Sequence, residues 1–277
     1  MERTTTPRAV DLTSFAHRDA RTEAPVSVVP PPRVIATENS VDFTDTLKFS
    51  SPLIQFSELD RENARVLPPG ASGPYGAAYK MLRTQVLRKL DQLGANSLGV
   101  MSAQSSEGKT LTAINLAIAI SADPARTVLL VDFDLRNPSV HRRFSYEPAV
   151  GVDDCLRLRR PVQEAMFKVA GYDRLTILPA RERVEHSSEL LSSPATAEIV
   201  NEMRMRYANR VIIFDVPPVL MADDALAFAR YMQAGLLVIG EGKARREDVT
   251  RTFQLLHDLP FVGTVLNGSR EPVRTQY

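Results

Sequence analysis

Residues 105–110, inside LGVMSAQSSEGKTLTA (98–113), combine small polar side chains, one glycine, one lysine and one threonine in a spacing suited to holding phosphate. An apolar run, a serine-rich turn and G-K-T at the start of a helix follow the logic of a phosphate-binding loop. Successive backbone N–H groups and the helix N-terminus surround the phosphates with partial positive charge. Lys109 would place a full charge on the β- and γ-phosphates, and Thr110 would offer a hydroxyl to Mg²⁺. The nucleotide contacts expected here are Ser105, Ser106, Glu107, Gly108, Lys109, Thr110 and Leu111. Ala103 stands where the pattern G-x-x-x-x-G-K-[ST] has its first glycine, a mild change if the position does not need positive φ. The alternative is a chance G-K-T after a polar turn.

Two further segments end buried-strand runs in carboxylates. In TVLLVDFDLRNPSVH (127–141) the run from Val128 to Val131 leads to Asp132 and Asp134, two residues apart, with Arg136 beyond them. In RVIIFDVPPVLMADDA (210–225) the run from Val211 to Phe214 ends in Asp215. Ligands of open parallel sheets bind outside the carboxyl ends of the strands, so the three aspartates converge there on one Mg-nucleotide. Asp134 and Asp215, with Thr110, are expected to order the metal and its waters, and Asp132 to accept a proton. Any one of these aspartates alone would read as a helix cap or a solvated loop carboxylate. Arg136 has two readings, contact with phosphate or a neighbouring subunit, or pairing with a structural carboxylate.

The trio SAQSSEGKT, LLVDFDLR and VIIFDVPP resembles the Walker A, Walker A′ and Walker B set of the bacterial tyrosine kinases of capsule and exopolysaccharide synthesis. These belong to the class of P-loop ATPases that includes MinD and ParA. The resemblance spans about residues 75 to 268 and includes SSELLSSP (187–194) and FVGTVLNG (261–268). It implies ATP and Mg²⁺ as cofactors and autophosphorylation on tyrosine. It also implies a membrane-embedded partner that activates polysaccharide chain-length control and export, and a place at the inner face of the membrane. Asn267 matches the asparagine that holds adenine in related ATPases; on local chemistry a turn-forming Asn-Gly pair reads equally well.

Departures from the family pattern are specific. The family's tyrosine-rich tail is reduced to Tyr277, the only tyrosine after Tyr231. The E-x-x-R-x-x-R helix of the family, which implies a homo-oligomeric ring, is matched by Ala77, Lys80 and Arg83, so the acidic partner is missing. Ser105 and Ser106 replace the usual proline and glycine of the loop, and no lysine precedes Lys109 between Leu98 and Glu107, unlike MinD. Three functions remain open at this level: a tyrosine kinase, an ATPase switch without kinase activity, and a nucleotide-binding scaffold that does not turn ATP over.

Composition narrows the classes. With 277 residues, 44% hydrophobic and 24% charged, the chain can bury a sizeable core, and a net charge of +1 offers no reason to expect nucleic acid as partner. Cys155 is the single cysteine, which excludes an internal disulfide and a C-x-x-C iron–sulfur site. No apolar run approaches the ~20 residues needed to cross a bilayer, and MERTTTPRAVDLTSF lacks a signal-peptide core, so a cytoplasmic place is expected. His141 and His257 read as surface or core-edge residues, Arg245 and Arg246 as a solvated face, and Met203 and Met205 as packing residues.

These groups need a scaffold. Residues 1–74, with Pro30, Pro31 and Pro32 in a row, are expected as a disordered or extended arm and linker, in which Leu53, Ile54 and Phe56 pack on the domain. From 75 to 268 short apolar runs at 97–103, 127–133, 174–179, 210–216, 234–240 and 261–267 alternate with helical stretches. That alternation predicts an α/β fold, a doubly wound and mostly parallel sheet with helices on both faces, of the P-loop NTPase type. Residues 269–277 are expected as a flexible tail.

Overall fold

The computed structural model describes residues 51–206 and 209–269. Residues 1–50 and 270–277, with the expected arm, the expected tail and Tyr277, lie outside the described residues. Six strands form one parallel sheet: β2 (Ser97–Ser102), β3 (Thr127–Asp132), β5 (Leu175–Leu178), β6 (Arg210–Asp215), β7 (Ala234–Gly240) and β8 (Phe261–Asn267). A two-stranded pair, β1 (Leu53–Ile54) with β4 (Lys168–Val169), lies beside it.

The order β5-β3-β6-β2-β7-β8 explains where a ligand belongs. After β2 the chain first builds toward β3 and β5, then returns through β6 and continues on the other side with β7 and β8. The direction of winding reverses around β2, and the crevice beyond the carboxyl ends at such a point is where open α/β sheets bind ligands. Asp132 pairs in register with Asp215 across β3 and β6, so the sheet itself sets two of the candidate carboxylates side by side.

Strand residues alternate between two cores. Leu98, Val100, Val128, Leu130, Val211 and Ile213 face one cluster, and Met101, Leu129, Val131, Ile212 and Phe214 the other. Each of these fully buried side chains contributes about 1.5–3 kcal/mol by leaving water. The first cluster is covered by α2 (Gly73–Leu93) and α3 (Lys109–Ser121), the second by α5 (Val152–Leu158), α8 (Pro194–Met205) and α9 (Asp224–Ala229). The short helices α4 (Val140–Arg143), α6 (Val162–Ala165) and α7 (Ser187–Leu191), and α10 (Arg246–Leu255), complete the layers. Among the described residues no helix is long and apolar enough to cross a membrane.

The stretch before residue 75 departs from the expected linker. Helix α1 (Glu58–Ala64) starts at Ser57, whose hydroxyl accepts the Asp60 N–H at 3.1 Å, and Phe56, Val66 and Leu67 are buried. Asn115, wholly buried in α3, fixes this stretch: its Oδ1 accepts from Leu67 N at 2.8 Å and its Nδ2 donates to Arg65 O at 3.0 Å. Tyr172 donates its hydroxyl to Leu67 O at 2.7 Å. Side-chain anchoring, not apolar periodicity, makes the segment part of the domain. Met203 packs in the core as expected, but Met205 is 86% exposed because it falls on the outer face of α8.

Candidate active site

The loop between β2 and α3 takes its shape from two residues with positive φ, Ser106 at 62° and Gly108 at 92°. Ala103 is not among the residues with positive φ, so the loss of the first glycine costs nothing in backbone geometry. At 108 glycine is required on two counts. A Cβ there would sit 1.9 Å from Asn267 Nδ2, and the left-handed conformation disfavours a side chain. Ser106 holds the left-handed region without being glycine, a local strain of about 1–2 kcal/mol. Asn267, at the end of β8, donates to Glu107 O at 2.9 Å, and Lys243 donates to Ser106 O at 2.8 Å. Both sides of the loop are thus tied to the β7–β8 edge of the sheet. The Glu107 carboxylate turns inward to accept the Gln104 N–H at 3.1 Å, so its side chain shapes the loop.

Lys109 is the first residue of α3 and is buried. Its ammonium lies 2.5 Å from Asp134 Oδ2, 3.2 Å from Asp215 Oδ1 and 3.4 Å from Thr110 Oγ1. Burial works against its charge, but Asp215 and Asp134 more than offset this and raise its pKa, so it stays protonated. Thr110 donates to Asp215 Oδ2 at 2.6 Å and lies 3.3 Å from Ser139 Oγ. The oxygens of Thr110, Asp134 and Asp215 therefore already surround one cation, the protein's own. Among the described residues no three His, Cys, Asp or Glu side chains form a metal cage. Magnesium on a nucleotide does not need one, since one or two carboxylates suffice with waters and phosphates. The oxygen donor set fits that ion.

Asp132 and Asp134 are both buried, Asp132 at 0% exposure and Asp134 at 3%. Asp132 Oδ1 accepts the Asp134 N–H at 3.1 Å, and its Oδ2 accepts Ser139 N at 2.9 Å and Val140 N at 3.0 Å. Burial and the charge of Asp215 push its carboxyl upward, while the Val140 and Ser139 amides pull it back. Three of its four acceptor positions are thus occupied by backbone, and the carboxylate shapes the turn leading into α4. The reason for its burial is topological, because β3 lies between β5 and β6 and α4 closes over its tip.

Arg136 points elsewhere. Its Nε donates to Asp224 Oδ1 at 2.7 Å and its guanidinium lies 3.7 Å from Asp223, at the start of α9. It pairs with these carboxylates, and among the described residues it has no hydrogen bond or ion pair to the loop. Asp224 is buried, and its charge attracts the arginine away from the crevice. Ser139, which reaches Thr110, had no motif to announce it; its only sequence signal is its distance of seven residues past Asp132. Beside the loop a cleft of about 930 Å³ is lined by Ser106, Glu107, Leu111, Tyr75, Val265 and Asn267, among others. Leu111 and Asn267 thus face a space large enough for a nucleoside.

No family model matches the chain. Individual proteins do. The tyrosine-protein kinase YwqD of Bacillus subtilis is 30% identical over 201 residues, covering 72% of this chain and 83% of that protein. The succinoglycan biosynthesis transport protein ExoP of Rhizobium meliloti is 30% identical over 185 residues, which are 64% of this chain but only 23% of ExoP. Among solved structures, the VpsO kinase domain superposes with a TM-score of 0.62 at 27% identity, over 76% of this chain and 98% of that one. With its parallel sheet wound around β2 and its Lys109 loop, the chain belongs to the bacterial protein-tyrosine kinases.

Proposed function

We propose that the chain is an ATP- and Mg²⁺-dependent tyrosine kinase that phosphorylates itself and acts in the synthesis and export of an exopolysaccharide or capsule. The observation that carries this reading is the convergence of Lys109, Thr110, Asp134 and Asp215 at the mouth of the loop. The polysaccharide context rests on the likeness to ExoP.

Backbone N–H groups of Ser106, Gly108 and Lys109 cradle the phosphates, and the Lys109 ammonium leaves its carboxylates to neutralise them. Thr110, Asp134 and Asp215 would hold Mg²⁺, which supplies charge stabilisation to the β- and γ-phosphate oxygens when bound. Asp132 keeps one acceptor position beyond its three backbone bonds, and burial raises its proton affinity, so it takes the tyrosine proton. The phenol oxygen then bonds to the γ-phosphorus as the bond to the β–γ bridging oxygen breaks, and ADP leaves. Asn267 and Leu111 face the adenosine. A membrane-embedded activator of chain-length control and export is the proposed partner, which places the chain in the cytoplasm at the inner face of the membrane.

An ATPase switch that uses the same cradle to pass phosphate to water is the second reading, since transfer to water and transfer to tyrosine need the same groups. Incubation with γ-labelled ATP followed by mapping of the labelled residue separates the two.

A further inference from the structure

Several arginines around β5 have acidic partners: Arg159 pairs with Glu198, Arg160 with Glu164, Arg181 with Asp154 and Arg136 with Asp224. Among the described residues Arg157 and Arg183, which share one pocket, have none. Both are exposed, neither has an ion pair or hydrogen bond among the described residues, and both line one open pocket of about 370 Å³. Leu190 and the buried Val184 supply its apolar lining, and Glu185 is its one carboxylate. His186, also on its rim, is offset by Glu189 at 4.0 Å.

The position of this pocket gives the two free guanidinium groups a use. Val184 N donates to Leu135 O at 2.8 Å, and Leu135 directly follows Asp134, which holds Lys109. The loop carrying Arg183 emerges from the carboxyl end of β5, the same edge of the sheet from which the D-x-D segment leaves β3. An extended peptide presenting a tyrosine to the D-x-D segment would bring residues flanking that tyrosine over the pocket.

From this we infer that Arg157 and Arg183 form a docking pocket for acidic residues flanking the acceptor tyrosine of a protein substrate. Two guanidinium forks facing one fixed carboxylate leave an excess of positive charge, and guanidinium pairs bidentately with Asp or Glu side chains. The apolar floor of Val184 and Leu190 would take the aliphatic part of the same residues. The inference deepens the kinase reading by naming its substrate class, and it rests on that reading.

The test compares the whole chain with its double variant Arg157→Glu/Arg183→Glu. A fluorescent tyrosine peptide flanked by glutamates, and the same peptide with glutamines, are titrated by anisotropy without catalysis, with ATP affinity as the control for folding. The wild type is expected to bind the acidic peptide about tenfold more tightly than the neutral one, from two exposed ion pairs acting together. Raised salt or the double variant should remove that preference with ATP affinity unchanged. Equal binding of both peptides by the wild type, or an acidic preference that survives in the variant, would overturn the proposal. Acidic binding with no phosphate transfer to any tyrosine upholds the pocket while refuting the kinase reading, whereas transfer with equal KM for both peptides does the reverse.

Discussion

Lys109 Nζ and Asp134 Oδ2 are 2.5 Å apart, so the loop's one cation rests on a carboxylate of the D-x-D segment. With Asp215 at 3.2 Å, the ammonium occupies the centre of the oxygen set proposed for Mg²⁺. In the proposed mechanism, nucleotide binding would draw Lys109 toward phosphate and leave that oxygen set to Mg²⁺. Such an exchange of one positive charge for another would keep the buried carboxylates neutralised.

The exchange predicts two effects of Lys109→Met. ATP affinity should fall roughly 10- to 100-fold, the loss of a hydrogen bond to charge worth about 1.5–3 kcal/mol. The nucleotide-free protein should also lose about 3–5 kcal/mol of stability, because Asp134 and Asp215 would be left buried without their partner. Calorimetric titration and urea unfolding measure the two. Unchanged ATP binding would contradict the role of the loop.

Asp132→Asn and Asp134→Asn should behave differently, although both should lower phosphoryl transfer. Asn at 132 offers one oxygen to replace two, leaving one of three backbone N–H groups facing an amide NH₂, at a cost of about 1–3 kcal/mol. At 134 the main loss is the Lys109 pair, so turnover should drop more than stability. Comparing urea midpoints with transfer rates for both variants checks this. An Asp132→Asn protein as stable as wild type would refute the capping geometry.

Strands β7 and β8 have the predicted limits, 234–240 and 261–267, because Gln233 and Glu241 bound one apolar run and Pro260 and Gly268 the other. The three aspartates reach one edge because Asp132 and Asp215 end β3 and β6 and Asp134 lies two residues past β3. Their burial was not legible, since it depends on α4 folding over the tip of β3. Helix α1 was missed although Ser57 and Asp60 have N-cap spacing, because ELDRENA carries no apolar stripe and is fixed instead through Asn115. The partner of Arg136 depends on α9, nearly ninety residues away.

His141 supplies a pH dependence. It is buried, and its Nδ1 has no hydrogen-bond partner, while burial and then Arg142 lower its pKa below the ordinary histidine value. The unfolded chain therefore takes up a proton that the folded chain resists. Stability should be full above about pH 6.5 and should fall as the pH drops below it. His141→Leu should flatten that slope in urea midpoints measured from pH 7.5 to 5.5 (about one unit either side of the ordinary histidine value). An unchanged slope would show that His141 protonates freely when folded.

Ring assembly should be absent. Ala77 leaves the acidic position of the helix pattern empty, and Arg83 spends its guanidinium inside the molecule, donating to Ala119 O at 3.2 Å near the end of α3. Light scattering at micromolar protein with Mg-ATP should give the monomer mass. A stable ring would mean that other surfaces replace the missing charge pair.

The central claim is transfer of phosphate to tyrosine, and the direct measurement is incubation with γ-labelled Mg-ATP followed by mapping of the label. A kinase yields phosphotyrosine mainly on Tyr277, lost in both Tyr277→Phe and Lys109→Met, with Tyr277→Phe still binding ATP. Release of labelled phosphate to water, with no phosphotyrosine on this chain or on an added acceptor, would contradict the account and leave an ATPase switch.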